Sequence, residues 1–189
     1  MRMCLVFVLI SALPLLILAP SRGLAEAKEP DPRNEISIDL AMPVVMNLLE
    51  PTGYVVPIVL EYQRLLNEHL ALSIVPGVAY SGLPDGWILL TQLWVGLNWH
   101  PFQEGLRGFY VGPGFVVFGI IDNTMHKEPM LRFLCMFLGL TVGYQFVLTP
   151  HINVDVALGA SVGPYLDLYS HSAGLAGLPR AALAAGYRF

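Results

Sequence analysis

Ile152-Asn153-Val154-Asp155-Val156-Ala157-Leu158-Gly159-Ala160-Ser161-Val162 changes character at almost every step. Successive side chains of an extended strand point to opposite sides. Ile152, Val154, Val156, Leu158, Ala160 and Val162 therefore share one face, and Asn153, Asp155, Ala157, Gly159 and Ser161 the other. The period continues through 178–189, where Ala181, Leu183, Ala185, Tyr187 and Phe189 stand against Arg180, Ala182, Ala184, Gly186 and Arg188. A third stretch sets Leu140, Val142, Tyr144 and Phe146 against Gly139, Thr141, Gly143 and Gln145. One face is bulky and apolar; the other is small or polar.

Outward from these stretches the chain divides into eight segments, at about 35–47, 54–63, 69–80, 87–100, 108–119, 131–147, 152–162 and 178–189. Turn-forming residues separate them: Glu50-Pro51-Thr52-Gly53, Asn67-Glu68, Ser81 to Gly86, Pro101 to Gly105, Asp122-Asn123, Thr149-Pro150 and Gly163-Pro164. A membrane helix needs about 20 apolar residues, whereas a membrane strand needs about 9–11. Beyond the leader only Phe133 to Val154 is long and uncharged enough for a helix, and Gly139, Gly143, Gln145, Pro150 and Asn153 interrupt it. A helical inner-membrane protein is thus the weaker reading. The polar face is too small and too weakly charged to solvate an exterior, so it is assigned to a lumen and the bulky face to lipid. The expected fold is all-β: an eight-stranded antiparallel up-and-down transmembrane β-barrel over 35–189, in which closure pairs every strand.

Composition agrees. Of 189 residues, 55% are hydrophobic and 13% charged, about half the charge of an ordinary soluble domain. Disorder, a coiled coil and nucleic-acid binding are disfavoured. Arg2, the apolar run Cys4 to Ala19 and the small residues of Gly23-Leu24-Ala25 read as a cleavable signal peptide over 1–25, followed by a polar linker over 26–34. Cleavage removes Arg2 and Arg22 and no acid, so Lys and Arg fall from 10 to 8 against 14 acids and the net charge becomes −6. Cys135 then stands alone, amid Phe133-Leu134-Cys135-Met136-Phe137, and reads as a small buried hydrophobe.

The chain ends Ala185-Gly186-Tyr187-Arg188-Phe189. A terminal Phe with an aromatic two residues before it resembles the C-terminal assembly signal of bacterial outer-membrane barrels. That likeness implies that Tyr187 and Phe189 are recognised by the barrel-assembly machinery. The chain after the leader resembles the small eight-stranded barrels of the outer-membrane protein A and X type. Leu106-Arg107-Gly108-Phe109-Tyr110-Val111-Gly112-Pro113 is similar to a segment of a family of small uncharacterised bacterial outer-membrane barrels. The resemblance implies a bacterial outer-membrane location, with membrane lipid and lipopolysaccharide as surroundings, and a monomer. It implies no activity and no cofactor.

An even-stranded barrel places both ends in the periplasm, with short turns there and longer loops outside. The turns are expected at about 64–68, 101–107 and 148–151, and the outer loops at about 48–53, 81–86, 120–130 and 163–177. Tyr62, Trp99, Phe109, Phe146, Tyr187 and Phe189 fall near the inner boundary, and Tyr54, Tyr80, Trp87 and Phe133 near the outer one. On the lumen face Asp39, Glu61, Asp155 and Arg188 fall in the periplasmic half of neighbouring strands, an expected polar plug beneath Gln145, Gln92 and Asn98. The alternative places Arg188 in water at the strand end.

The five histidines show no metal-ligand spacing. Some eight-stranded barrels modify lipid A with a Ser, a His and an acid. Ser170-His171-Ser172 with Asp167 is the nearest approach to that set, yet adjacent Ser and His of a strand point apart. No catalytic, cofactor or metal residues are assigned. The expected role is structural or in surface interaction, with a narrow solute channel or carrier and a lipid A-modifying enzyme as alternatives.

Overall fold

In the computed structural model, residues 32–41, 54–83, 85–124 and 129–189 are described. They form eight strands: β1 Asn34–Asp39, β2 Tyr54–Leu65, β3 Leu70–Leu83, β4 Gly86–Trp99, β5 Gly108–Asp122, β6 Met130–Val147, β7 Ile152–Asp167 and β8 Ser172–Arg188. Each pairs antiparallel with its sequence neighbour, and β8 returns to β1, so the sheet is a closed barrel. The described elements are all strands, and no described helix is long and apolar enough to cross a membrane. The helical reading is overturned. The expected leader over 1–25, most of the expected linker over 26–34 and the expected connection over 48–53 lie outside the described residues.

Closure is made where β1 meets β8. Glu35 lies opposite Arg188, Ser37 opposite Gly186 and Asp39 opposite Ala184. Asn34 and Phe189 exchange both backbone hydrogen bonds, at 3.1 and 2.9 Å. The described β1 ends at Asp39, and residues 42–47 of the expected first segment lie outside the described part.

One expectation is corrected. The 163–177 stretch is not a long loop: β7 runs on to Asp167, β8 begins at Ser172, and a four-residue turn at 168–171 joins them. Gly163-Pro164, taken for a turn, instead interrupts the β6–β7 ladder between Leu138↔Val162 and Cys135↔Tyr165. The β7–β8 ladder passes through it, with Gly163↔Ala176 and Pro164↔Leu175. Proline lacks an N–H, and a gap in one ladder accommodates it without ending the strand.

The two faces separate as the alternation demands. Ile58, Val95, Leu138, Leu140 and Val162 project outward and stay exposed, whereas Glu61, Gln63, Ser73, Gln145 and Asp155 are buried inside. Lumen glycines make room for the large inward side chains. The Trp94 indole lies across Gly96, Gly114 and Gly139, and an added Cβ at Gly139 would stand 2.9 Å from the ring. Tyr110 lies over Gly143 in the same way. An apolar cluster of Val59, Val75, Trp94, Val116, Cys135 and Phe137 fills the middle of the lumen. Phe133 lies near the start of β6, opposite Asp167, and packs on Tyr165, with ring centroids 6.5 Å apart. The Tyr54 side chain lies outside the described part.

Candidate functional site

Between the apolar cluster and the end that carries Asn34 and Phe189 lies a layer of buried polar side chains. Glu61 of β2 accepts hydrogen bonds from Gln63 Nε2 at 2.9 Å and from Ser73 Oγ at 2.7 Å. Gln145 of β6 donates from Nε2 to Gln63 Oε1 at 3.1 Å and, more distantly, to Glu35 Oε2 at 3.5 Å. The Tyr110 hydroxyl of β5 donates to Asp155 Oδ2 of β7 at 2.9 Å. Arg188 of β8 is 2% exposed and faces Glu35 across the closing seam. Asn153 and Ser37 are buried with them. Buried polar groups need partners, and hydrogen bonds across the lumen join Glu61, Gln63, Ser73, Gln145 and Glu35 in one set and Tyr110 and Asp155 in another, while both side-chain polar atoms of Asn153 and the Ser37 hydroxyl are buried without a hydrogen-bond partner.

The turn 100–107 covers this layer. His100 and Leu106 are 0% exposed. Gly105 (φ 84°) and Gly108 (φ 73°) adopt left-handed backbone on either side of Leu106-Arg107, a conformation costly for residues with a Cβ. The resulting reversal tucks Leu106 inward. His100 Nδ1 lies 3.0 Å from the Arg107 carbonyl oxygen, and its ring packs on Tyr110 with centroids 5.5 Å apart. Burial holds the His100 imidazole below its ordinary pKa, favouring the neutral ring.

Of the four residues expected in the plug, Glu61, Asp155 and Arg188 lie in the buried layer. Asp39 is half-buried at the end of β1, where its Oδ1 accepts the Ala41 amide at 2.8 Å. The water-facing alternative for Arg188 does not fit its burial. Glu35, Gln63, Ser73, Tyr110 and Asn153 belong to the layer and were not anticipated. Glu35 shares the strand face of Asp39, so the same alternation pointed to it. Gln145 lies within the layer, Asn98 packs against Gly112, and Gln92 packs over Gly77. On the exterior, at the end that carries Asn34 and Phe189, Tyr187 stacks on Phe189 with centroids 6.4 Å apart and on His151 at 5.7 Å.

At the opposite end, Arg132 and Asp122 form an ion pair of 2.9 Å. Thr124 donates its amide and its hydroxyl to Asp122 Oδ1 at 2.7 and 2.6 Å. The Ser170-His171-Ser172 stretch forms no nucleophile–base–acid chain. Asp167 Oδ1 accepts the Tyr169 and Ser170 amides at 2.9 and 3.2 Å, and Ser170 Oγ lies 2.8 Å from Ser172 Oγ. His69 and His151 each bring Nδ1 near a backbone carbonyl, of His100 and Arg188 respectively. Among the described residues no three His, Cys, Asp or Glu side chains converge on a metal-sized site. No family model matches the chain, and no curated protein matches it.

Proposed function

We propose that the chain is a bacterial outer-membrane β-barrel with a structural, non-enzymatic role, its lumen sealed by the buried polar layer and the turn beneath it. The observation that carries this reading is an arrangement of side chains that puts an apolar exterior around a filled interior, in which a layer of buried polar groups lies beside the apolar cluster. On β4, Trp87 and Trp99 both point outward, with Leu89, Thr91, Leu93, Val95 and Leu97 between them on the same face. Twelve residues at about 3.3 Å each, tilted by about 45°, separate the two indoles by about 28 Å along the barrel axis. An outer-membrane apolar band is about 25 Å tall with aromatic residues at both edges. Tyr80 stacks on Trp87 at one edge, and Phe102 packs on Phe109 near the other, with centroid separations of 6.2 and 6.1 Å. Lipid is then the principal surrounding of the exterior.

An eight-stranded barrel is only wide enough for its side chains to fill it, which supports a sealed body over a channel. The short 168–171 turn leaves the β5–β6 connection as the longer of these two far-end segments for surface contact. Planar-bilayer recording tests the seal. Reconstituted protein is expected to give no conductance above the protein-free baseline, and regular current steps would refute a sealed lumen.

A further inference from the structure

The turn that covers the polar layer is fastened through His100, Gly105 and Leu106. Two backbone hydrogen bonds tie it to the turn between β2 and β3: the His100 amide donates to the His69 carbonyl at 2.7 Å and the Gly105 amide to the Glu68 carbonyl at 2.9 Å. Leu106 and the His100 ring fill its inner side, and both residues are fully buried. A carbonyl oxygen only accepts, so the 3.0 Å contact with the Arg107 carbonyl places the imidazole proton on Nδ1. Nε2 then carries the lone pair, and it is buried without a hydrogen-bond partner. A second proton would put a charged N–H there with nothing to accept it, which burial makes costly. The titratable and charged groups around His100 give little relief. Tyr110 of β5 packs on its ring and donates its hydroxyl to Asp155 of β7. His69 opposes a positive charge at His100. Glu68, Glu104 and Arg107 of the two turns are exposed. Among the described residues no carboxylate lies within ion-pair distance of His100.

We propose that the 100–107 turn is an acid-released cap, latched by neutral His100 and freed when His100 takes a second proton. Gly105 and Gly108 stand on either side of Leu106-Arg107 with positive φ, and with no Cβ to strain they are the points at which the backbone swings. Release carries Leu106 out of the barrel end and admits water to His100 and Tyr110. Burial holds the His100 pKa below its ordinary value in the closed turn, so the open turn binds more protons. Closure is therefore at full strength above the ordinary histidine pKa of about 6.5 and weakens as the pH falls below it. The cap adds a control to the sealed end of the barrel, and its test needs neither a bilayer nor a current, so it stands or falls apart from membrane location and conductance.

Amide hydrogen exchange of the full-length protein in detergent, corrected for the intrinsic effect of pH, tests the cap. The Gly105 amide reads the turn, and the Phe189 amide, bonded to the Asn34 carbonyl, reads the barrel at the same end. Between about pH 7.5 and about pH 5, Gly105 protection is expected to fall at least about tenfold while Phe189 protection holds. His100→Gln still offers an N–H to the Arg107 carbonyl and gains no charge, so its Gly105 protection should stay constant over that range. His69→Gln removes an opposing charge and should lessen the fall without abolishing it. Gly105 protection that is constant in the parent, that falls as steeply in His100→Gln, or that falls only together with Phe189 overturns the proposal. If His100→Gln fails to fold, His100→Asn is read in its place.

Discussion

Arg188→Ala is expected to destabilise the barrel by about 3–5 kcal/mol, the usual cost of removing one partner from a buried charge pair, and to make vesicles that carry it leaky. The substitution removes the cation that faces Glu35 across the β1–β8 seam and leaves Glu35 and Glu61, which lie within electrostatic reach of one another, with less compensation. It does so where the sheet closes, so lost stability and lost closure should appear together. Arg188→Lys keeps the charge without the planar fork and should fall between Ala and the parent. The urea midpoint of the heat-modifiable band reports stability, and dye release from proteoliposomes reports leakage. An unchanged midpoint with no added release would show that Arg188 does not hold the layer together.

Gly163→Ala should be the most damaging methyl added to the sheet. The new Cβ would fall on the Met136 carbonyl oxygen and 2.8 Å from Phe137 Cα. Both are backbone atoms of the neighbouring strand, so no side chain can swing aside. The expected cost is about 3 kcal/mol, the upper end of the overpacking range. Gly177→Ala is the internal control: its Cβ would meet the Ser161 carbonyl oxygen at 3.5 Å, an ordinary contact, and should change stability by less than about 0.5 kcal/mol. Equal midpoints for the two variants would show that β7 is not pressed against β6 at this point.

The contrast between Gly163 and Gly177 also shows where the sequence stops speaking. Strand identity is legible wherever the two faces differ in size and polarity, as from Ile152 to Val162 and from Ala181 to Phe189. It fades from Gly163 to Pro179, where Gly163-Pro164, Gly174, Gly177 and Pro179 look like loop chemistry although β7 and β8 run through most of the stretch. Gly163 serves close packing against β6, and that pressure comes from neighbours far away in the chain, whereas Gly177 has room for a methyl. The lumen layer was legible in part for a related reason. Alternation tells which way Glu61, Asp155 and Arg188 point, and it applies equally to Glu35, Gln63 and Asn153. Which of them meet depends on how each strand is staggered against the next. Asp39 lies opposite Ala184 and Glu35 opposite Arg188, a register that the strand pattern alone leaves open. Leu106 follows no strand period at all. Its inward turn depends on the left-handed backbone at Gly105 and Gly108.

If the apolar exterior meets lipid along its full height, depth-dependent fluorescence quenching will show it most directly. The chain has three tryptophans, so each can be kept alone in turn and reconstituted into bilayers brominated at successive depths along the acyl chain. Trp87 and Trp99 should both be quenched most strongly by bromines near the headgroups and least by those at the bilayer centre. Trp94, inside the lumen, should be quenched weakly at every depth. Weak quenching of Trp87 and Trp99 at all depths, indistinguishable from Trp94, would contradict a bilayer-spanning barrel.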